Sequence, residues 1–347
     1  MPTIKDVASR AGVSTATVSI ILNGKAEQRK IPEGTCQRVW EAAKAVGYQP
    51  NLGARMLRKG SEQKPIVAFY WPLDYRLPIL ASFINGISKT LKEDNRECEL
   101  VIQAFENDHL SQSTRALEEK QYSAAIIGAC SEGDLRHLES LKLHIPVVLI
   151  NRHSDLYSSV EVDNQWIGRR AAEMIFGKGY RDAVTVVATE RFLQTQRRTN
   201  AFLDTARDLG IRISPEHILK VTGTMAGGAE AAVRYLSLKD KPKVMFCESD
   251  GLALGALNTF RRLGVSVPGE LEVLAISMSG KEETLYSVPS LSVIELPNEE
   301  LAAQAIRMVL ELPVQCSSAP IHKKADCKVI LRDSFRMPSL MPPDAER

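Results

Sequence analysis

The sequence predicts an α/β protein: an all-helical N-terminal head followed by two lobes built on parallel sheets. Three observations carry that prediction. The chain has 347 residues, more than the roughly 250–300 over which one hydrophobic core usually extends. Up to residue 60 the apolar spacing is helical and the runs are short, whereas from Pro65 strand-length apolar runs alternate with amphipathic segments. The charge divides at the same place. Residues 1–60 hold ten Lys/Arg against four Asp/Glu, a net of +6, and the remaining 34 Lys/Arg and 38 Asp/Glu leave −4.

Ile4, Val7, Ala8 and Ala11 are spaced as one helical face, and that run stops at Gly12, a residue suited to the turn after a helix. Ser14 is placed to cap a second helix over 15–22, which ends at Asn23-Gly24. A charged loop, KAEQRK, leads to Ile31-Pro32 and a third helix over 33–46 that buries Val39, Ala42, Ala43 and Val46. Two helices joined by a tight glycine-containing turn form the helix-turn-helix pattern, which serves either DNA binding or plain three-helix packing. The positive charge leaves the same choice open, between a surface for a polyanion and a solvated helical face. Residues 51–60 (NLGARMLRKG) follow Pro50 and are too few to form a stable helix alone in water, so they read as a hinge or linker.

In the body, strands are expected over 66–70, 100–104, 124–128 and 146–150, then over 183–188, 218–221, 244–247 and 271–276. Helices are expected over 166–176, 198–209, 226–238 and 251–263. Such alternation gives parallel sheets covered by helices on both faces, with ligand sites outside the carboxyl ends of the strands.

Composition excludes several classes. Hydrophobic residues at 44% and charged residues at 25% fit a globular chain and not a disordered or fibrous one. No apolar run approaches the ~18 residues of a membrane helix, and no basic-then-apolar signal segment opens the chain, so a cytoplasmic protein is expected. The six cysteines (36, 98, 130, 247, 316 and 327) form no C-x-x-C pair and read as reduced packing thiols. The chain lacks a phosphate-binding G-x-x-x-x-G-K-[ST], a G-x-G-x-x-G after a strand, a G-x-S-x-G elbow and an H-E-x-x-H, and its six histidines are scattered. No catalytic residues, cofactor or metal are expected. A binding protein is the better default.

Several stretches then resemble the lactose-repressor/galactose-repressor family of bacterial transcription regulators. TIKDVASRAGVSTATVSIILNG (3–24) and VGYQPNLGARMLRKG (46–60) resemble that family's headpiece and hinge helix. HIPVVLINR (144–152), VDN (162–164) and CESDGLALGALNTFRRLGVSVPGELEVLAI (247–276) are similar to its core. The resemblance implies a helix-turn-helix headpiece (1–50), a hinge (51–60) and a two-lobed core like periplasmic binding proteins (61–347). It implies lobes of about 61–160 with 290–322 and 161–289 with 323–340, and crossings near 151–162, 277–290 and 312–326. Function follows as an expectation: a DNA-binding regulator, a repressor, acting as a homodimer on an inverted-repeat operator under control of a small molecule. A carbohydrate is one candidate for that molecule. The alternative is a small-molecule binding or sensor protein of the periplasmic type with no role in DNA regulation. Gene activation and a protein corepressor also stay open.

The resemblance assigns base-reading positions to Thr15, Ala16 and Ile20, and backbone-contacting positions to Ser14, Thr17, Ser19 and Asn23. Hydroxyl and amide groups suit phosphates, while side chains aimed into the major groove carry sequence information. Ile20 departs from the arginine of many relatives and exchanges a bidentate guanine contact for an apolar one. In the hinge, Asn51 opens the helix, Arg55 reaches phosphate, and Leu57, beside Ala54, is either a minor-groove wedge or a packing residue. Gly53 weakens that helix. Lys25, Arg29 and Lys30 are phosphate contacts or simply a solvated loop.

In the core, RTNAF (198–202) places Arg198 at the family's effector-binding arginine, unless it makes an inter-lobe salt bridge. Asp250 matches a ligand-bonding aspartate and also reads as a helix N-cap. A guanidinium and a carboxylate facing one cleft suit a polyhydroxylated ligand or an anion. Leu77 and Ile79 (with Pro78 and Leu80), Met225, and Ser277 in AISMSG stand where relatives show aromatic or acidic groups. The expected pocket is therefore more apolar than a usual sugar site.

Overall fold

The computed structural model describes residues 4–22, 26, 29, 31–46, 64–74, 76–141, 143–190, 192–278, 281–312 and 319–336. Two compact units emerge, a head and a body, which divide between residues 63 and 64. In the head, helices α1 (Ile4–Ala11), α2 (Thr15–Leu22) and α3 (Glu33–Ala45) lie where the spacing predicts. Gly12 has φ +65°, the left-handed conformation a side chain resists, and the chain there turns from α1 into α2. Ser14 caps α2 by accepting the Thr17 amide at 3.1 Å. Val7, Val18 and Val39, one from each helix, are fully buried, with Ala8, Ala11, Ile21, Ala42 and Ala43 around them.

The body contains strands β1 (Ile66–Pro72), β2 (Glu99–Phe105), β3 (Ala124–Gly128), β4 (Val147–Ile150), β5 (Ser158–Val162), β6 (Val184–Ala188), β7 (Ile218–Val221), β8 (Val244–Cys247), β9 (Glu272–Ser277), β10 (Ser292–Glu295), β11 (His322–Ala325) and β12 (Lys328–Ile330). Its helices are α4 (Leu77–Glu93), α5 (Arg115–Glu118), α6 (Glu132–Ser140), α7 (Asn164–Gly177), α8 (Leu193–Asp208), α9 (Met225–Leu236), α10 (Asp250–Arg262), α11 (Lys281–Leu285) and α12 (Asn298–Glu311). The strands form two six-stranded sheets, ordered β11-β5-β4-β3-β1-β2 and β12-β10-β9-β8-β6-β7. Every pairing in the first sheet is parallel. The second departs from the expected parallel arrangement at one edge, where β12 runs antiparallel to β10.

Sheet membership fixes where the chain changes lobe. β5 belongs to the first sheet, so the first crossing follows Val162; β10 belongs to the second, so the next falls between Glu295 and Asn298. The third lies between Ala325 and Lys328. Residues 290–295 therefore stand in the second lobe and 323–325 in the first, each opposite to the lobe limits expected from sequence. The strands at fault are poor in apolar residues: β5 begins Ser158-Ser159, β10 begins with Ser292, and β11 reads HKKA. The serines are nevertheless buried and hydrogen-bonded. Ser292 Oγ donates to the Phe335 carbonyl and Ser158 Oγ accepts from the Ile321 amide. β11 is an edge strand and needs little apolar content.

Apolar packing is continuous between the lobes. Phe69 and Val148 of the first sheet and Phe246 and Leu274 of the second belong to one cluster with Phe202 of α8 and Ile306 of α12. Phe202 stacks on Phe246 with centroids 4.2 Å apart.

Candidate functional site

Two places gather the predicted residues, one in each unit. In the head, Val18 and Ile21 turn inward, while Ser14, Thr15 and Ala16 are exposed and Thr17, Ser19 and Ile20 are half-buried. Positions 15, 16, 19 and 20 thus share the face of α2 away from the core. That face offers two hydroxyls, a methyl and a branched apolar side chain, groups of the kind that contact base edges and the thymine methyl. Ser14 Oγ lies 2.9 Å from Thr17 Oγ1, so the cap and the neighbouring hydroxyl form one polar corner at the start of the helix. Arg29 is exposed. Asn23, Lys30, Asn51, Ala54, Arg55 and Leu57 fall outside the described residues.

In the body, a cavity of about 80 Å³ lies between the lobes. Its first-lobe wall comes from the carboxyl ends of strands: Trp71 near the end of β1, Ala129 after β3, Asn151 and Arg152 after β4, and Val162 at the end of β5. Ile79 and Phe83 of α4 complete that wall. Phe192, Gln194, Thr195 and Arg198 close it from the second lobe, with Met278 beyond β9 and Asn298 at a crossing. This is the place where parallel α/β sheets bind ligands. Ala129 and Asn151 both have left-handed φ, 55° and 53°. Non-glycine residues adopt that conformation at a cost, and it clusters at ligand sites.

The polar groups of the cavity form a connected set. Asn164, first residue of α7, accepts from Arg198 Nε at 2.7 Å and donates to Gln194 Oε1 at 2.9 Å and to Asn151 Oδ1 at 3.0 Å. Its position follows from the local chain, because Asp163 caps α7 by accepting the Trp166 amide at 2.8 Å. Arg198 is held from behind by Gly168 of α7. A Cβ there would lie 2.1 Å from the Arg198 carbonyl oxygen, so only glycine lets the two helices approach this closely. Arg198 also donates to Met278 Sδ at 3.6 Å.

Two further arginines face the same space. Arg152, 5% exposed, donates from Nε to the Cys130 carbonyl at 2.6 Å and from Nη1 to the Asn151 carbonyl at 2.7 Å. No carboxylate pairs with it among the described residues, and burial, aided by the positive charges of Arg76 and Arg197, draws its pKa below the usual arginine value. Arg76 is anchored by Asp74 and lays its guanidinium 3.7 Å from the centroid of Phe192, joining the two lobes across the mouth. Both walls mix cationic and aromatic groups: Arg76 and Arg152 stand with Trp71 and Phe83 on the first lobe, and Arg198 stands with Phe192 on the second.

Of the six predicted effector residues, Ile79 and Arg198 line this cavity. Asp250 and Ser277 lie beyond it and bond to each other: Asp250 Oδ2 accepts from Ser277 Oγ and the Met278 amide, both at 3.1 Å. Asp250 is not the cap of α10. Ser249 fills that role by accepting the Leu252 amide, and the Asp250 carboxylate instead fixes the segment that carries Met278. Leu77 is 44% exposed and Met225 56% exposed, and neither contributes to the wall. Sequence reasoning missed Arg76, Arg152, Asn151, Asn164, Phe192 and Gln194. The signal for three of them was present, since the segments LINR and VDN end at Arg152 and contain Asn164. A larger cavity, about 540 Å³, opens between α4, α12 and the crossing segments and holds none of the predicted residues.

The arrangement of a helix-turn-helix head on a two-sheet body has relatives. Residues 3–51 match the model of bacterial regulatory proteins of the lacI family, and residues 172–335 match that of the periplasmic binding protein-like domain. The transcriptional repressor CytR of Escherichia coli K12 is 26% identical over 336 residues, which cover 96% of each chain. The crystal structure of a LacI family transcription regulator from Clostridium acetobutylicum superposes with a TM-score of 0.74 at 32% identity, over 78% of this chain and all of that one. The lac repressor dimer bound to operator and an anti-inducer matches in fold, with a TM-score of 0.67 at 18% identity over 96% of this chain and 99% of that one. No described helix is long and apolar enough to cross a membrane. The chain belongs to the LacI family of bacterial transcriptional regulators, with a helix-turn-helix DNA-binding domain and a periplasmic-binding-like domain.

Proposed function

We propose that the protein is a cytoplasmic repressor that binds an inverted-repeat operator as a homodimer, and that a small molecule in the inter-lobe cleft sets its affinity for DNA. The observation that carries the reading is the cavity at the strand ends, whose lining residues Arg198, Gln194 and Asn151 are tied into one hydrogen-bonded set by Asn164. Thr15, Ala16 and Ile20 read bases, and Ser14, Thr17, Ser19 and Asn23 grip phosphates. Residues 51–60 act as the hinge, with Leu57 at the operator centre and Asn51, Ala54 and Arg55 beside it.

The cleft makes the ligand class more specific. Arg152 and Arg198 offer donors to an anionic or polyhydroxylated group, while Trp71, Ile79 and Phe83 suit an apolar face. About 80 Å³ is well below the roughly 300–1,000 Å³ of ordinary ligand pockets. A ligand of ordinary size then enters as the lobes part, a motion that separates Arg76 from Phe192. That motion changes the surfaces from which the hinge segments of a dimer emerge.

Selection of bound oligonucleotides by the full chain is expected to return a palindrome with half-sites about one turn apart (~34 Å). Enrichment of an asymmetric single site refutes the dimeric reading. Ile20→Arg should shift preference toward guanine at one base pair of each half-site. A ligand found by thermal shift should lose its effect in Arg198→Ala and bind the free protein more tightly than the operator complex, since coupling is reciprocal. A ligand that shifts Arg198→Ala as much as the wild type removes the cleft from the mechanism.

A further inference from the structure

On the outer edge of the first sheet, three side chains that do not line the cleft converge from three segments: His153 after β4, Glu161 on β5 and His322 on β11. One ring nitrogen of each histidine and a carboxylate oxygen of Glu161 lie within 4.8 Å of one another. We propose that His153, Glu161 and His322 form a binding site for a divalent transition-metal ion of the zinc class.

The argument starts from register. His322 pairs with Ser159 in the parallel ladder, and residues 159 and 161 point to the same face of β5, so the His322 ring stands beside both. His153 follows the end of β4 and brings its ring against that of His322, with centroids 4.5 Å apart. Its Nδ1 is 3.1 Å from Glu161 Oε1 and its Nε2 3.7 Å from Asp155 Oδ1. Two imidazoles and a carboxylate are the N/O donor set that borderline cations select; magnesium and calcium prefer all-oxygen sets and the softest ions prefer thiolates.

The hydrogen bonds around the cluster prepare one ligand nitrogen. Ser159 Oγ has a single hydrogen, which it donates to Glu161 Oε1 at 2.6 Å. It therefore accepts at its 2.8 Å contact with His322, so His322 Nδ1 carries the proton and Nε2 presents a lone pair. Metal-bound histidines are oriented in this way, with the other ring nitrogen donating to a fixed oxygen acceptor. In a tetrahedron with metal–ligand bonds of about 2.0–2.2 Å, two donors lie roughly 3.3–3.6 Å apart. Gathering three atoms from within 4.8 Å asks for closures of at most about 1.5 Å, which a rotamer adjustment of the 52%-exposed His153 side chain can supply. The same exposure leaves room for water to complete a tetrahedron.

A cation held here ties β11 to β5 and to the segment after β4. β11 is the last strand of the first sheet before the chain crosses between Ala325 and Lys328, so the ion fixes the start of that crossing. The test is calorimetric titration of the EDTA-stripped full chain with zinc chloride. A Co²⁺ titration read by its visible absorption gives the ligand environment. The expected result is one site per chain involving these residues, a raised thermal midpoint with zinc, and loss of both in His153→Gln/His322→Gln. Ser159→Ala, which frees the His322 ring, should weaken binding by about 10- to 100-fold while leaving the stripped protein's midpoint in place. Wild type that binds no zinc overturns the proposal. So does a double variant that keeps the wild-type stoichiometry, affinity and Co²⁺ spectrum.

Discussion

The head and the body solve the same problem, presenting polar groups on a fixed frame, in opposite ways. In the head the frame and the proposed contact surface are one helix: within Thr15–Leu22, Val18 and Ile21 hold α2 to its neighbours, and Thr15, Ala16, Ser19 and Ile20 lie on the face away from the core. In the body no single segment makes the site. Trp71 and Arg76, Asn151, Phe192 and Arg198, and Asn298 come from four stretches of chain and meet only because two sheets and three crossings place them. A contiguous site depends on a few buried contacts, whereas a dispersed one depends on the whole packing around it.

The largest expected effect breaks the first half of that comparison. Val18→Asp places a carboxylate in a fully buried position with no partner to satisfy it, at a cost of several kcal/mol against a core of about eight buried residues. Operator binding should fall by more than 1,000-fold while the thermal transition of the body is unchanged. A variant that keeps operator affinity would show that α2 does not need this core.

The contrast also explains what was legible. All three head helices could be placed to within a residue, because the apolar spacing and the Gly12 and Ser14 end signals are local. β11 and the start of α8 could not be placed. β11 carries no apolar alternation, and α8 begins at Leu193 with no side-chain cap at Phe192, five residues before the expected start. That error put Arg198 at a helix start when it sits in the second turn, facing Asn164. Asp250 misled for a related reason: the motif gave the right residue type, but its carboxylate is engaged by Ser277 and the Met278 amide.

pH sharpens the comparison, because a buried acid belongs to the body. Burial pushes Glu248 from 4.5 up to about 7, against the pull of its bonds from the Ala188 amide and the Thr199 hydroxyl. Its folded value is the higher one, so its contribution is fully present below about 4.5 and is lost as the pH rises through about 7. The body should therefore melt higher at pH 5 than at pH 8 on this account. Glu248→Gln keeps an acceptor for Ala188 and should remove most of that slope, stabilising the protein at pH 8 by up to about 3 kcal/mol. An unchanged pH profile in the variant would place the titration elsewhere.

Gly168 tests how far the dispersed site depends on packing. A methyl group there meets the Arg198 carbonyl oxygen at 2.1 Å, and backbone cannot yield as a side chain end can. Gly168→Ala should cost about 1–3 kcal/mol of body stability and weaken any cleft ligand, because Arg198 moves with α8. Operator binding by the free protein should change far less. Equal loss of both activities would mean that the α7–α8 contact governs the head as well.

The smallest effect asks whether frame and surface can be separated at a single residue of the head. Ser14 caps α2 through the Thr17 amide, and it is also a proposed phosphate contact. Ser14→Ala removes both roles, costing about 1 kcal/mol of helix stability and roughly tenfold in operator affinity. Ser14→Asp keeps the cap, since a carboxylate accepts the same amide and favours the positive end of the helix, but it sets a negative charge against DNA phosphate. The two substitutions should part company in amide hydrogen exchange over residues 15–22, with faster exchange in Ser14→Ala and wild-type rates in Ser14→Asp. Ser14→Asp should still lose operator affinity, by more than Ser14→Ala and more steeply at low salt, where phosphate repulsion is least screened. If Ser14→Asp binds the operator as tightly as the wild type, Ser14 belongs to the frame alone and the contact surface of α2 begins at Thr15.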